Sequence, residues 1–257
     1  MYNIIKTQLS QFFANANFTW GVCGGLAIDF FVDKHTRDHK DIDLFSYTNK
    51  RKDIIDFMLN KGWRVFEACG GGIQHELTKS SLEEIDLNLY CIHSSNNDYL
   101  FTPYSTKNLE ISRFRKNDAT IKYLEYLYRS DVKMGYLVHG EKIQTKLDYV
   151  EFLFSDNSQP LLSYIDNVDV KLSWDNVILN RDGISYMCPE MVLLYKIGIA
   201  DRLRKSKDKA YHIYEGECRS DFTTTCCLMN EVQRKWLKSA LTLTYPEAEE
   251  YIIKLDN

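Results

Sequence analysis

Ile4, Ile5, Leu9, Phe12 and Phe13 recur at helical spacing and predict an amphipathic helix at the start of the chain. Phe18 to Cys23 then reads as a short buried strand, and Gly24-Gly25 follows it directly. Leu26, Ala27, Phe30 and Phe31 mark the apolar face of a second helix. The glycine pair therefore stands at a helix N-terminus, where backbone N–H groups lack intrahelical partners and suit a phosphate. After a polar loop from Lys34 to Lys40, Asp41-Ile42-Asp43-Leu44-Phe45 alternates with period two. Ile42 and Leu44 fall on one face of this strand and both carboxylates on the other.

Ile54, Ile55 and Met58 predict a helix that stops near Gly62, and Trp63–Ala68 and Ile73–Leu77 flank Gly70-Gly71-Gly72 as a hairpin. Ile85, Leu87 and Leu89 alternate with Asp86, Asn88 and Tyr90, a half-buried strand with an acid on its polar side. A polar, weakly patterned stretch begins at Ser94, and Ile121, Leu124 and Tyr128 then suggest a helix. Tyr149–Phe154 and Trp174–Leu179 read as strands, and Cys188-Pro189-Glu190 opens a helix with Pro at its first position. Trp236-Leu237, Ala240-Leu241 and Pro246 place further helices in the C-terminal third. The fold class expected is α/β (α+β): a mixed sheet with helices over residues 1–92, then an insertion and a mostly helical part over 93–257, with the active site in the cleft between them.

Composition narrows the function classes. Against 36 Asp+Glu the chain sets 32 Lys+Arg, a net charge of −4, and its pI is near 5.9. No Lys/Arg stripe supplies the electrostatic footprint of sequence-independent nucleic-acid binding, so DNA and bulk RNA are not expected as partners. No run approaches the roughly 18 apolar residues of a membrane span, and no leader pattern opens the chain, so the expected location is cytoplasmic. Seven Cys without a C-x-x-C pair give a disulfide framework little support.

Two carboxylates one residue apart on a strand, beyond a helix that starts at Gly-Gly, suit divalent cations escorting a nucleoside triphosphate. Mg²⁺ takes oxygen ligands and keeps a shell of carboxylates and phosphates. Each feature alone is weak. Together, the order Gly24-Gly25-Leu26-Ala27-Ile28-Asp29 followed by Thr36-Arg37-Asp38-His39-Lys40-Asp41-Ile42-Asp43 closely resembles the nucleotidyltransferase superfamily. The nearest type is the aminoglycoside- and lincosamide-modifying one, with its G-G-x-A-x-D and T-R-x-H-x-D-I-D segments. Pro189-Glu190-Met191-Val192-Leu193-Leu194-Tyr195-Lys196 and Lys207-Asp208 are similar to later family segments, whereas residues 97–146 have no counterpart and Tyr211 stands where the family carries an acid.

The resemblance implies transfer of AMP from ATP to a hydroxyl of a small molecule, an aminoglycoside- or lincosamide-like antibiotic. It assigns Asp41 and Asp43 to two Mg²⁺ ions and calls for a third carboxylate; the polar face of the strand after the hairpin offers Asp86 for that role, with Glu151 as its competitor. Gly24, Gly25, Arg37, His39 and Lys196 are the expected nucleotide-binding residues. The bland readings are solvated loop residues for Arg37 and His39. Two rivals stand beside this reading: the same chemistry on a protein or tRNA, as in toxin–antitoxin members, and a non-catalytic nucleotide-binding module.

Overall fold

The computed structural model describes residues 2–68, 73–79, 88–96, 99–103, 134–139 and 143–256. Its helices are α1 (Tyr2–Phe12), α2 (Gly24–Val32), α3 (Arg51–Asn60), α4 (Trp174–Val177), α5 (Pro189–Ser206), α6 (Tyr211–Cys226), α7 (Glu231–Thr244) and α8 (Glu249–Lys254). Its strands are β1 (Trp20–Val22), β2 (Asp43–Tyr47), β3 (Trp63–Ala68), β4 (Gln74–Leu77), β5 (Leu89–His93), β6 (Tyr99–Pro103), β7 (Met134–His139), β8 (Tyr149–Ser155), β9 (Leu161–Tyr164), β10 (Asn167–Ser173), β11 (Ile178–Arg181) and β12 (Ile184–Met187). The expected mixed α/β class is what the chain adopts.

Contacts divide the chain into two interleaved units, Asn3–Trp20 with His39–Asp156, and Met1–Tyr2 with Gly21–Asp38 and Asn157–Asn257. The division expected at residue 92 falls within the first of these units. Residue 92 lies inside β5, whose neighbours β3 and β8 come from either side of it in sequence. Gly70-Gly71-Gly72, Asp86 and the helix expected around Ile121–Tyr128 lie outside the described residues.

In the unit containing His39–Asp156 the strands run in the order β2-β8-β5-β3-β4-β7-β6. Among the described strands of this unit, β2 and β8 pair in parallel and the other pairs are antiparallel. The predicted hairpin is β3 and β4, registered Val65↔Leu77 to Ala68↔Gln74. Aromatic side chains from α1, the segment after it and α3 fill the core: Phe13 stacks on Phe57 at 5.7 Å and meets Phe152 of β8 edge-on at 6.1 Å. Such pairs contribute about 0.5–1.5 kcal/mol beyond their buried area. One charged group is buried here too. Arg51 opens α3 and ion-pairs with Glu67 on β3, while His75, opposite Glu67 on β4, meets its carboxylate at 3.3 Å.

In the other unit β1 pairs in parallel with β12 (Val22↔Tyr186), β11 runs antiparallel to β12, and β9 and β10 form a separate hairpin. Helix α2 is buried from Gly25 to Phe30, which explains why its apolar residues are not confined to a stripe. The strand expected at Trp174–Leu179 is corrected: it is the short helix α4 followed by β11. The indole of Trp174 donates to the Gln159 carbonyl at 3.1 Å, and Cys188 N–H donates to the Val177 carbonyl at 2.7 Å. These fixed ends outweigh the β propensity of Trp and Val.

Helix α7 starts with a reciprocal capping box between Asn230 and Gln233, and the Gln233 side chain also donates to Glu190 at the start of α5, 2.8 Å away. In the middle of α5 stands Gly198, facing the hydroxyls of Tyr164 and Tyr245, which hydrogen-bond each other at 2.7 Å. A methyl group there would overlap both oxygens. Gly198→Ala is therefore expected to lower stability by about 1–3 kcal/mol, although Ala is normally the better helix former. A urea melt with an unchanged or raised midpoint would contradict that close approach.

Candidate active site

The paired carboxylates sit where the alternation places them. Asp41 is exposed, Ile42 buried, Asp43 half-buried and Leu44 buried. The alternation stops there, because Phe45 and Ser46 are buried together. Ser46 spends its hydroxyl on the Thr19 carbonyl at 2.5 Å. Strand β2 begins at Asp43, so Asp41 stands two residues before it, near enough for its charge to act on Glu151 of β8.

Parallel pairing brings a third acid to this pair. Asp43 is the register partner of Glu151 on β8, and Glu151 N–H donates to the Ile42 carbonyl, between the two aspartates, at 3.0 Å. Neighbouring strands lie about 4.8 Å apart, and register partners in a sheet share a face, so the two carboxylates are side by side. The row continues to Tyr90 on β5. Asn88, just before β5, donates its amide to Glu151 Oε1 at 3.1 Å.

Burial, and then the negative charge of Asp41, push the Glu151 carboxyl up to about 7, against hydrogen bonds from Asn88 and Tyr90 that favour its ionised form. A carboxyl whose ionisation burial and a neighbouring aspartate oppose, beside Asp43, suits oxygen coordination of a hard divalent cation. The sign of the pH dependence follows. Below about pH 7 the metal-free Glu151 holds its proton, and a cation must displace it. Mn²⁺ affinity is expected to rise with pH through about 7, with proton release, and to lose that rise in Glu151→Gln. Calorimetry in buffers of different ionisation enthalpy reads both quantities. A pH-independent affinity in the wild type would contradict the coupling. Between the ordinary value of 4.5 and about 7 the metal-free fold binds the extra proton, so this group's contribution to stability falls as pH rises through that window.

Asp86, expected as the third carboxylate, lies outside the described residues. His39, in the same unit as Asp41 and Asp43, is buried, and its carbonyl accepts the Gln144 N–H at 2.7 Å. It is not the solvated loop histidine of the bland reading.

The remaining expected residues belong to the other unit. Gly24 begins α2 at φ +60°, a left-handed conformation that glycine adopts without strain. The N-cap residue Cys23 makes no side-chain capping bond, which leaves the helix's first N–H groups to other acceptors. Gly25 follows, buried. Arg37 is bidentate on Asp221 of α6, with Nε at 3.1 Å and Nη2 at 3.3 Å. Lys196, on α5, places Nζ 2.9 Å from the same carboxylate. Sequence reasoning missed Asp221. It follows Arg37 by most of the chain, and no local pattern marks it.

Residues 7–104 match the family model described as aminoglycoside-2''-adenylyltransferase. A search of curated proteins finds no match. Among solved structures, the chain is similar to the solution structure of the antibiotic-resistance factor ANT(2'')-Ia, at 12% identity over 97% of this chain and 95% of that one, with a TM-score of 0.46. It is similar to the lincomycin-bound lincosamide antibiotic adenylyltransferase LnuA at 12% identity over 84% and 95%, TM-score 0.39. An antigenic nucleotidyltransferase-like protein from Paracoccidioides brasiliensis shares 13% identity over 99% and 91%, TM-score 0.41. The matched segment, residues 7–104, holds Gly24, Gly25, Arg37, Asp41 and Asp43, and over that segment the chain is similar to the aminoglycoside-2''-adenylyltransferase family.

Proposed function

We propose that the protein transfers AMP from Mg·ATP to a hydroxyl of a small cationic or lincosamide-like antibiotic, releasing pyrophosphate. The observation that carries this reading is the register Asp43↔Glu151, which adds a partly protonated carboxylate to the Asp41–Asp43 pair. Asp41 and Asp43 would hold the cations. Mg²⁺ supplies charge neutralisation at the α-phosphoryl group and alignment of the in-line displacement. Glu151 fills the role of third carboxylate. With a cation beside it Glu151 is ionised at neutral pH and is suited to take the acceptor hydroxyl's proton. Asn88 and Tyr90 hold that carboxylate in place.

The start of α2 supplies backbone donors for phosphate oxygens, with Gly24 and Gly25 leaving room for close approach. The net charge of −4 is compatible with a polycationic acceptor and supplies no basic surface for tRNA. Labelled ATP, Mg²⁺ and a panel of aminoglycosides, lincosamides, proteins and tRNA test the proposal together. Label transfer to an antibiotic, with pyrophosphate released in equal amount, is the expected result. Label on protein or tRNA alone would move the reading to the toxin–antitoxin type. ATP binding without transfer to any acceptor would favour a non-catalytic module.

A further inference from the structure

Register carries the acid row beyond the carboxylates. Asp43 pairs with Glu151, Glu151 with Tyr90 on β5, Tyr90 with Phe66 on β3, and Phe66 with Glu76 on β4. Register partners share a face, so these side chains form one line across adjacent strands about 4.8 Å apart. The opposite face carries Leu44, Phe152 and Leu89, and it is there that Phe13 packs on Phe152. On the acid face the line runs from carboxylates into aromatic rings, and Tyr90 stands at the change. It is half-buried and packs against the buried cluster of Phe66, Ile92 and Tyr149. An ion pair fixes that cluster: the Arg64 guanidinium lies over the Phe66 ring at 4.8 Å and the Phe101 ring at 6.0 Å, and its Nε donates to Glu76 Oε1 at 2.7 Å. The Tyr90 hydroxyl in turn donates to the Glu151 carboxylate. A ring held at its hydroxyl and along its packed side presents its open face without further ordering.

An acceptor hydroxyl that gives its proton to Glu151 must come within about 3 Å of that carboxylate. Few sides are open to it. Asp43 occupies the β2 side, where the proposed cation and triphosphate would lie. Along β8 the same face carries Tyr149, 2% exposed and closed to a ligand. Antiparallel pairing puts Asn88 at the other end, and its amide already takes Oε1 at 3.1 Å. The β5 side is left, and there an incoming molecule meets Tyr90.

We infer that Tyr90 is an acceptor-binding residue: its ring is the wall against which a hydroxyl-bearing sugar ring packs face-on, so that a hydroxyl of that sugar reaches Glu151. This role rests on the proposed nucleotidyl transfer with Glu151 as proton acceptor, and it narrows the acceptor class to molecules that carry a sugar ring. The C–H groups of a sugar offer an apolar, weakly positive face to the negative face of an aromatic ring, while the hydroxyls stay free at the rim. Amino sugars and neutral sugars share that chemistry, and tobramycin for an aminoglycoside and lincomycin for a lincosamide tell the two sources apart.

The test measures three quantities in the wild type, Tyr90→Phe and Tyr90→Leu. They are the Kd of tobramycin and of lincomycin by calorimetry with Mg²⁺ and a non-hydrolysable ATP analogue present, the Kd of that analogue, and kcat and KM with ATP. Tyr90→Phe keeps the ring and loses the hydroxyl, so kcat should fall about three- to tenfold while acceptor Kd and KM stay within about threefold of the wild type. Tyr90→Leu loses the ring as well, and should weaken the acceptor that the wild type uses about tenfold beyond Tyr90→Phe, with analogue affinity within about twofold. Equal acceptor affinity in folded Tyr90→Leu and Tyr90→Phe proteins overturns the inference. So does a loss of nucleotide affinity that matches the acceptor's, which would make Tyr90 a platform for adenine. If Tyr90→Leu does not fold, the wild type decides: saturation of aromatic protons should pass to the sugar C–H protons of the bound acceptor and vanish when the tyrosine rings are deuterated. Absence of that transfer overturns the inference. Wild-type protein that moves AMP to neither probe overturns the proposed function and the role of Tyr90 with it, whereas AMP transfer with acceptor affinity unmoved in Tyr90→Leu overturns the role of Tyr90 alone.

Discussion

Replacing Asp41 and Asp43 together by Asn is expected to abolish AMP transfer while leaving the metal-free protein as stable as the wild type or more so. The loss follows from removing both charges that would hold the cations. The stability result has a separate origin. Asp41's charge opposes ionisation of Glu151, so neutral amides relieve a repulsion that the metal-free fold carries. Turnover and a thermal melt on the same preparation check both halves. A variant that loses activity only because it unfolds would refute the second half, and one that retains turnover would refute the first.

Glu151→Gln carries the second large expectation. As the proposed proton acceptor beside the cation site, it should lower kcat by roughly 10²–10⁴, about 3–5 kcal/mol of transition-state stabilisation. Mg·ATP affinity should change little by comparison. Asp86→Asn is the informative partner. Near-wild-type turnover in Asp86→Asn with an inactive Glu151→Gln assigns the third carboxylate to β8. The reverse pair of results returns the role to Asp86, the acid that the sequence pattern favours.

The contrast shows where sequence pattern has its reach. Period-two alternation places Asp41 and Asp43 on one face, and the glycine pair with the apolar run after it places the start of α2, because both signals are local. Pro189 and the stripe after it mark α5 for the same reason. Glu151 is legible as an acid on a strand. Its pairing with Asp43 is not, since the strand arrives after a long unmatched stretch and joins β2 in parallel. Asp221 is further out of reach, because its significance lies wholly in Arg37 and Lys196. The strands β9 and β10 escape for a different cause. They leave Leu161 and Val168 exposed while burying Leu162, Tyr164 and Val170, so apolar residues fall on both sides and mark no single face.

Anomalous scattering from a crystal grown with Mn²⁺ and a non-hydrolysable ATP analogue tests the central claim most directly. The account predicts a Mn²⁺ peak on the carboxylates of Asp41 and Asp43 with Glu151 beside it, and phosphate oxygens completing the coordination shell. Nucleotide bound with no metal at these three residues, or with the metal held elsewhere, would contradict it.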